Sequence, residues 1–476
     1  MLSKLPLLGL VLGGLWLIVP VAGAQEASSA PQQPIAWSGP PDVTTGSTIL
    51  AGEDVVADNL SLASAQNLTL GKPAYGHGFL LPSFGVATTM QTNPYYSGKT
   101  SPSGVVDATY LTGRLALNRS SGRSDLSLDY LGGGVFSNDA ILGTSGIQSL
   151  RFADSIGWGR WSAMFGDQLS YTSLSPFGFG GLGGTNSLGV GLGNGPGPSS
   201  QFRTGFLPNQ SILIYGPSQL SNAAIGEVDY SFSRRSLLTL TGAYDKLHFL
   251  TGTFLDSQGV VFQGGYNYQV DRFNSMAVLY RFDQIKVDTI TQSLQDQSAE
   301  LSYARRVTGR LGFQVSAGPD LLVYAAPLAG PRTVVSWTAA ASLIYRRQRF
   351  TSGFSYDHIP TGGSGVLLGA VTDVLWAYMD QPFHREWEGI LTTGYSMNHA
   401  LRQTTPNAGA IALQAWFTRL QVTRHFRGYG SLYFSYSASG QTGLASVCSQ
   451  PGCLANSLNH TIGIGYNWGL RPRLFE

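Results

Sequence analysis

The stretch VVFQGGYNYQVDRFNSMAVLYRFDQI, Val260 to Ile285, alternates with a period of two. Val260, Phe262, Gly264, Tyr266, Tyr268 and Val270 give one face that is largely apolar or aromatic, while Val261, Gln263, Gly265, Asn267, Gln269 and Asp271 give a mostly polar one. After Asp271-Arg272 the alternation resumes, with Met276, Val278, Tyr280 and Phe282 against Ala277, Leu279, Arg281 and Asp283. Successive side chains of a strand point to opposite sides of the sheet, so the stretch predicts an antiparallel hairpin with one apolar and one wet face. A soluble sheet could show this once or twice. Here the unit recurs to the end of the chain at about ten or more residues per strand, the length a tilted strand needs to cross a bilayer.

Composition agrees. Of 476 residues 12% are charged and 11% aromatic, and 61 are glycine; an average soluble domain carries about 25% charged residues. Beyond the N-terminus no apolar run of about twenty residues occurs, which excludes a bundle of membrane-spanning helices. Low charge, abundant Tyr, Phe and Gly, and no long apolar run fit an all-β transmembrane antiparallel barrel. The net charge of +2 conceals 24 Arg against 5 Lys.

Residues 1–24 read as a secretory signal peptide, with Lys4, an apolar run from Leu5 to Val21, and Ala22-Gly23-Ala24 as a small-residue cleavage site. Residues 25–76 read as a periplasmic leader, flexible at least in its Pro-punctuated first part (Pro31, Pro34, Pro40, Pro41). Residues 77–476 are the expected barrel. The only cysteines, Cys448 and Cys453, bracket Ser449-Gln450-Pro451-Gly452, a turn sequence that brings them together, and in an oxidising compartment they predict a loop-stapling disulfide.

Short turns are expected near Arg119 to Arg123, Gly159, Ser233 to Ser236, Asp271-Arg272, Arg306 to Gly309, Arg346 to Arg349, Gln381 to Arg385 and Arg424 to Gly428. Between successive hairpins the connections are longer and rich in Gly, Ser, Asn and Pro; the longest is Ser173 to Asn222. The count reaches about 18 strands, including a weak first strand that contains Pro82. The last strand, Leu458 to Trp468, sets Leu458, Ile462, Ile464, Tyr466 and Trp468 against Asn459, Thr461, Gly463, Gly465 and Asn467. It resembles the aromatic-ended closing strand of bacterial outer-membrane barrels, although Gly469 to Glu476 continues past that end.

By this pattern nearly the whole mature chain resembles the Gram-negative outer-membrane β-barrel proteins. The resemblance lies in pattern and not in a family-specific motif. It implies short periplasmic turns, long external loops, both chain ends in the periplasm, outer-membrane lipid around the wall and barrel-assembly machinery as a partner. Neither a cofactor nor a nucleic-acid partner is expected. Oligomeric state is not legible. The 173–222 loop joins the fifth and sixth strands, the position at which trimeric porins fold a loop inward; an external loop is the competing reading.

Charged residues on the expected inner face are the candidate pore lining: Arg114, Asp125, Asp129, Glu227, Asp229, Arg281, Asp283, Glu300, Arg310, Arg349 and Asp357, with Asp271 also counted inward. Mixed signs predict pairing across neighbouring strands around a wet channel. Arginines crowd the short turns, among them Arg160, Arg234, Arg235, Arg272, Arg385 and Arg424. They predict anchoring to lipid phosphates, with a cationic collar that draws an anionic solute or polysaccharide as the alternative. Trp158, Trp161, Trp337, Trp376, Trp387, Trp416 and Trp468 lie near expected strand ends and fit aromatic girdles. Enzymatic signals are thin: no G-x-S-x-G occurs, the seven His are scattered, and a lipid-facing His460 with Ser457 nearby lacks an acid or amide partner. The expected function is an outer-membrane channel for passive passage of polar solutes or for export of a polysaccharide. The alternative is a structural or adhesive barrel plugged by the 173–222 loop, without transport.

Overall fold

The computed structural model describes residues 78–92, 105–121, 123–138, 144–172, 218–250, 254–287, 292–324, 333–347, 350–361, 367, 369–401, 412–426, 430–443, 456–470 and 473–475. The segments expected to be a signal peptide and a leader, together with Cys448 and Cys453, therefore lie outside the described residues, as does 173–217 of the longest loop.

The strands are β1 (Gly78–Thr92), β2 (Val105–Ser121), β3 (Ser124–Ser137), β4 (Thr144–Trp158), β5 (Trp161–Thr172) and β6 (Gln219–Ser233). They continue with β7 (Ser236–Phe249), β8 (Ser257–Gln269), β9 (Asn274–Val287), β10 (Gln292–Arg306), β11 (Leu311–Tyr324) and β12 (Thr333–Arg347). The last are β13 (Phe350–Thr361), β14 (Ala370–Pro382), β15 (Trp387–Ala400), β16 (Ala412–His425), β17 (Gly430–Thr442), β18 (Asn456–Gly469) and β19 (Arg473–Phe475). Each strand from β1 to β17 pairs antiparallel with the next, and β1 pairs with both β2 and β18 (Phe84 opposite Gly113 on one side and Trp468 on the other). The sheet is thus a closed barrel of 18 staves, as the alternation predicts. Closure matters because an unpaired backbone amide in hydrocarbon costs several kcal/mol, and only a ring of strands leaves none at an edge.

The segment beyond the aromatic end of β18 is not a tail. β19 continues β18 along β1, pairing Leu80 with Arg473 after Ser83 pairs with Gly469, a register offset of one residue across the break. It lengthens the closing seam.

Period-two alternation holds on the wall. Phe262, Tyr266, Tyr268, Met276, Val278 and Tyr280 are exposed on the outside, while Val261, Gln263, Asn267, Ala277, Leu279, Arg281 and Asp283 are buried on the inside. The same outward greasy face recurs on β1 (Phe84, Val86, Met90) and β18 (Ile462, Ile464, Tyr466). Left in water this band would be an aggregation surface; in hydrocarbon it is the face a transmembrane barrel requires.

All eight expected short turns are present. They leave the long connections at the opposite end of the barrel, hereafter the loop end. One two-residue turn is Gly159-Arg160 between Trp158 and Trp161, where Gly159 has φ 61°, a left-handed conformation a side chain would disfavour. The β8–β9 turn is held by Asp271, whose carboxylate accepts the Phe273 and Asn274 amides at 2.7 and 2.9 Å and the Asn274 side-chain amide at 2.7 Å. The Asn274 side chain first, and these backbone amides with it, keep that carboxyl below the usual aspartate range. Asp271 is thereby corrected from lumen to exposed turn. The longest connection comes out shorter than expected at its far end. Leu220, Ser221 and Asn222 belong to β6, because polar residues that would mark a loop elsewhere are ordinary on a barrel wall.

An arginine on the outer face has no water to reach at mid-bilayer. Val278 is 61% exposed on that face, so Val278→Arg is expected to lose roughly 2–4 kcal/mol of folding stability in lipid vesicles. Val278→Leu should be near neutral, as measured by urea unfolding followed by Trp fluorescence.

Candidate functional site

The inner wall carries nearly all buried charge, and register decides which charges meet. Asp129 on β3 stands directly opposite Arg151 on β4. From β2, Arg114 reaches the same carboxylate with two parallel bonds, Nε to Oδ1 at 2.8 Å and Nη2 to Oδ2 at 2.6 Å. This cross-strand pairing is what mixed inward charge predicts. Bidentate geometry and burial of all three side chains make it a structural clamp.

A second group lies on β6. Glu227 and Asp229 are two residues apart on one face and both are buried. Thr239 donates to Asp229 at 2.6 Å, Ser162 to its other oxygen at 3.3 Å, and Thr241 to Glu227 at 3.4 Å, each from a directly opposed position on β5 or β7. Hydroxyls here stand in for a counter-charge.

The third group spans β7 to β11. Arg281 and Asp283 form an ion pair along β9, Nη2 to Oδ2 at 3.0 Å. Around them stand Asp245 on β7, Asp296 and Glu300 on β10, and Asp320 on β11. Asp283 is directly opposite Asp296, and Asp320 is opposite Ser298. Room for Asp245 comes from Gly259, its cross-strand partner, where a Cβ would collide with the Asp245 carboxylate.

Of the expected lining residues, Arg114, Asp129, Glu227, Asp229, Arg281, Asp283, Glu300 and Asp357 face inward. Arg310 does not. It sits exposed in the β10–β11 turn, because the strand alternation was carried one step past the end of the ladder. The Asp125 side chain and Arg349 lie outside the described residues. Sequence reasoning missed Arg151, Asp245, Asp296, Asp320 and Arg419, all inward. Parity from their strand neighbours was the available signal, weakened where Pro319 and the polar run Gln292 to Ser298 blur the apolar face.

At the loop end the inward side chains turn apolar and approach from distant staves. Leu247 and Phe249 of β7, Phe254 of the β7–β8 connection, Leu367 before β14, Ala370 of β14 and Leu413 of β16 form one buried cluster. β7 and β16 are nine staves apart in a ring of eighteen, so this cluster crosses the barrel. Beside it Leu294, Leu322 and Tyr324 pack with Leu401.

At the other end the rim is cationic, with Arg123, Arg160, Arg234, Arg235, Arg272, Arg310 and Arg385 in or beside turns. Arg272 lies over the Phe273 ring at 4.7 Å, and Arg424 over Phe426 at 5.2 Å and Trp387 at 5.5 Å. Trp158, Trp161, Trp387 and Trp468 ring this end on the outside, and Trp337 and Trp416 lie toward the loop end. Trp376 breaks the girdle expectation: it faces inward beside Tyr378, with ring centroids 4.9 Å apart.

Two outward histidines have partners. His358 stacks on Trp337 at 3.9 Å and bonds Asp373 at 2.7 Å, and His460 meets the Tyr436 hydroxyl at 2.9 Å. Ser457 is on the inner face, opposite to His460, so the two do not form a lipid-facing pair. Among the described residues no group of three His, Cys, Asp or Glu is placed to hold a metal ion.

Removing Asp129 would leave Arg114 and Arg151 buried without their shared carboxylate. Asp129→Asn is expected to cost about 3–5 kcal/mol, the penalty for breaking a buried pair from one side. The companion Arg114→Met/Asp129→Leu should recover part of it, both read by urea unfolding in vesicles.

No family model matches the chain, and no curated protein matches it. Solved structures do. Pseudomonas aeruginosa OpdQ matches with a TM-score of 0.41 and 10% identity, covering 83% of this chain and 99% of that one. P. aeruginosa OpdK with vanillate gives 0.42 and 9%, covering 82% and 99%. P. aeruginosa OprD gives 0.38 and 9%, covering 86% and 99%. The strand pairings of this chain are what establish its barrel.

Proposed function

We propose that this protein is an outer-membrane channel for the passive passage of small polar solutes. The carrying observation is the division of the wall: a continuous apolar exterior and a closed ring whose interior is lined by Asp, Glu, Arg, Ser, Thr, Asn and Gln. A barrel with no transport task can fill its interior with apolar side chains, which pack without the desolvation penalty of charge.

Export of a polysaccharide fits less well, because the apolar cluster drawn across the loop end suits a compact solute better than a polymer in transit. Outer-membrane residence places the short turns in the periplasm and the long loops outside, with insertion through the barrel-assembly machinery. The cationic rim then meets lipid phosphates. Arg272 and Arg424, seated over aromatic rings, support that anchoring role rather than a collar turned to the pore.

The refolded full chain in a planar bilayer is expected to give discrete single-channel steps in KCl. Because inward acids outnumber inward arginines, reversal potentials in a salt gradient should show K+ preferred over Cl−. A barrel that is folded by heat-modifiable gel mobility yet electrically silent would overturn the channel reading and favour the plugged structural barrel.

A further inference from the structure

Near the loop end the inward side chains are layered. Leu247 follows Asp245 on β7, Ile285 follows Asp283 on β9, Leu294 precedes Asp296 on β10, and Leu322 follows Asp320 on β11. Each apolar residue is two positions nearer the loop end than its aspartate, about 7 Å along the strand. An apolar layer thus sits on an acidic one.

The acidic layer lacks donors. Asp283, Asp296 and Asp320 are at most 6% exposed, on three adjacent staves. Asp320, at 2% exposed, takes no N–H and no Ser, Thr or Tyr hydroxyl on either carboxylate oxygen, and Oδ1 of Asp283 and of Asp296 has none either. The side chain that shares a hydrogen bond with Asp320 is Asp296, itself a carboxyl group. Arg281 is the one guanidinium described in the group; its Nη2 is on Asp283 and its Nε is turned to no acceptor. A further acceptor is close: a Cβ on Gly318 would clash with the Ala299 carbonyl, so that oxygen leans to the inner side. Across the ladder from Ala299 the register places Pro319, which has no N–H to give. Like charges directly opposed across a ladder are destabilising, and buried acceptors without donors cost more.

We propose that this layered patch is a subsite for an amphipathic organic cation. An ammonium or guanidinium head is held among Asp283, Asp296 and Asp320, and an apolar body lies against Leu294, Leu322 and Leu401. A bare divalent ion fits poorly, since it needs oxygens converging at about 2.3–2.6 Å and no described trio is placed so. A head with several N–H donors spreads over separated carboxylates, and the adjoining apolar layer desolvates it on one side. A Cβ on Gly369, just before β14, would come into van der Waals contact with Leu294, which also packs with Leu401 after β15, so the apolar layer bounds the passage rather than one wall. The inference rests on the channel reading, and it commits that reading to a solute class.

The test uses the refolded full chain, in KCl bilayers and in detergent micelles by calorimetry. Phenethylammonium is the probe, methylammonium supplies the head alone, and 2-phenylethanol supplies the body alone. Phenethylammonium is expected to block the K+ current and to bind at least tenfold more tightly than either control. Asp296→Asn/Asp320→Asn should lose tenfold or more of that affinity; the change is isosteric and removes like-charge repulsion, so heat-modifiable folding should persist. Equal binding of phenethylammonium and methylammonium to the native chain, or an unchanged affinity in the folded double variant, would overturn the subsite whether or not current flows. A silent barrel that still binds phenethylammonium selectively sinks the channel reading and leaves the subsite standing.

Discussion

Every other feature of this protein depends on one hydrogen-bonded seam. The first and last staves, β1 and β18, pair over nine residues, and β19 extends the seam past a break. Without it two long strands would present bare N–H and C=O groups to hydrocarbon, at several kcal/mol for each orphan. Once the ring is closed, period-two geometry leaves no freedom about what goes where. Side chains of one parity meet lipid, and those of the other meet the interior. Burial then means something unusual here, because the buried set is the polar one and the exposed set includes Phe84, Leu240, Val278 and Ile462.

The same geometry gives two outcomes for acids on the inner wall. Register sets Asp129 opposite Arg151 and lets Arg114 close on it from the other side. Register also sets Asp283 opposite Asp296, with Asp320 one strand further. In the first case opposite charges meet, with Arg114 doubly bonded to Asp129 and Arg151 beside them, and the group ties β2 to β4. In the second they do not, and the local arrangement opposes the fold that contains it. Where local preference and global structure disagree, the disagreement marks a place kept for something other than stability.

How much of this the sequence made legible follows from the range of each interaction. Alternation is local, so Val260 to Ile285 showed its hairpin, its outward aromatics and the inward Arg281 and Asp283 without help. Short turns rich in Arg, Gly and Ser against long loops gave the ring its count. Parity ran out at strand ends: Arg310 and Asp271 were carried inward by counting through a turn, and Leu220 to Asn222 were taken for loop because an inner-wall strand can be as polar as a loop. Trp376 shows the limit of reading aromatics by type, since it is expected near a strand end yet stands midway along β14 and faces inward. Contacts across the ring were not legible at all. Nothing in Leu247, Phe249 or Phe254 announces a meeting with Leu367 and Leu413, because that encounter is fixed only when the eight staves from β8 to β15 have been laid between β7 and β16.

Stability and selectivity are therefore housed in different parts of the molecule. The ladder and the lipid-facing band are sequence-tolerant: any apolar side chain serves outside, and the backbone bonds are indifferent to what stands inside. That indifference lets the inner wall hold carboxylates without donors, which a small soluble core could not absorb. It also explains the gradient along the axis. Arginines at the short-turn rim sit where headgroup phosphate and water are within reach, so they add anchoring at little cost. At the loop end the ring narrows by apolar contact, and carboxylates directly beneath that layer are cut off from bulk water. A charge screened on one side by leucines and faced on the other by like charge discriminates more sharply between solutes than the same charge in an open pore, since the weaker the solvent's competition, the larger the part each contact plays.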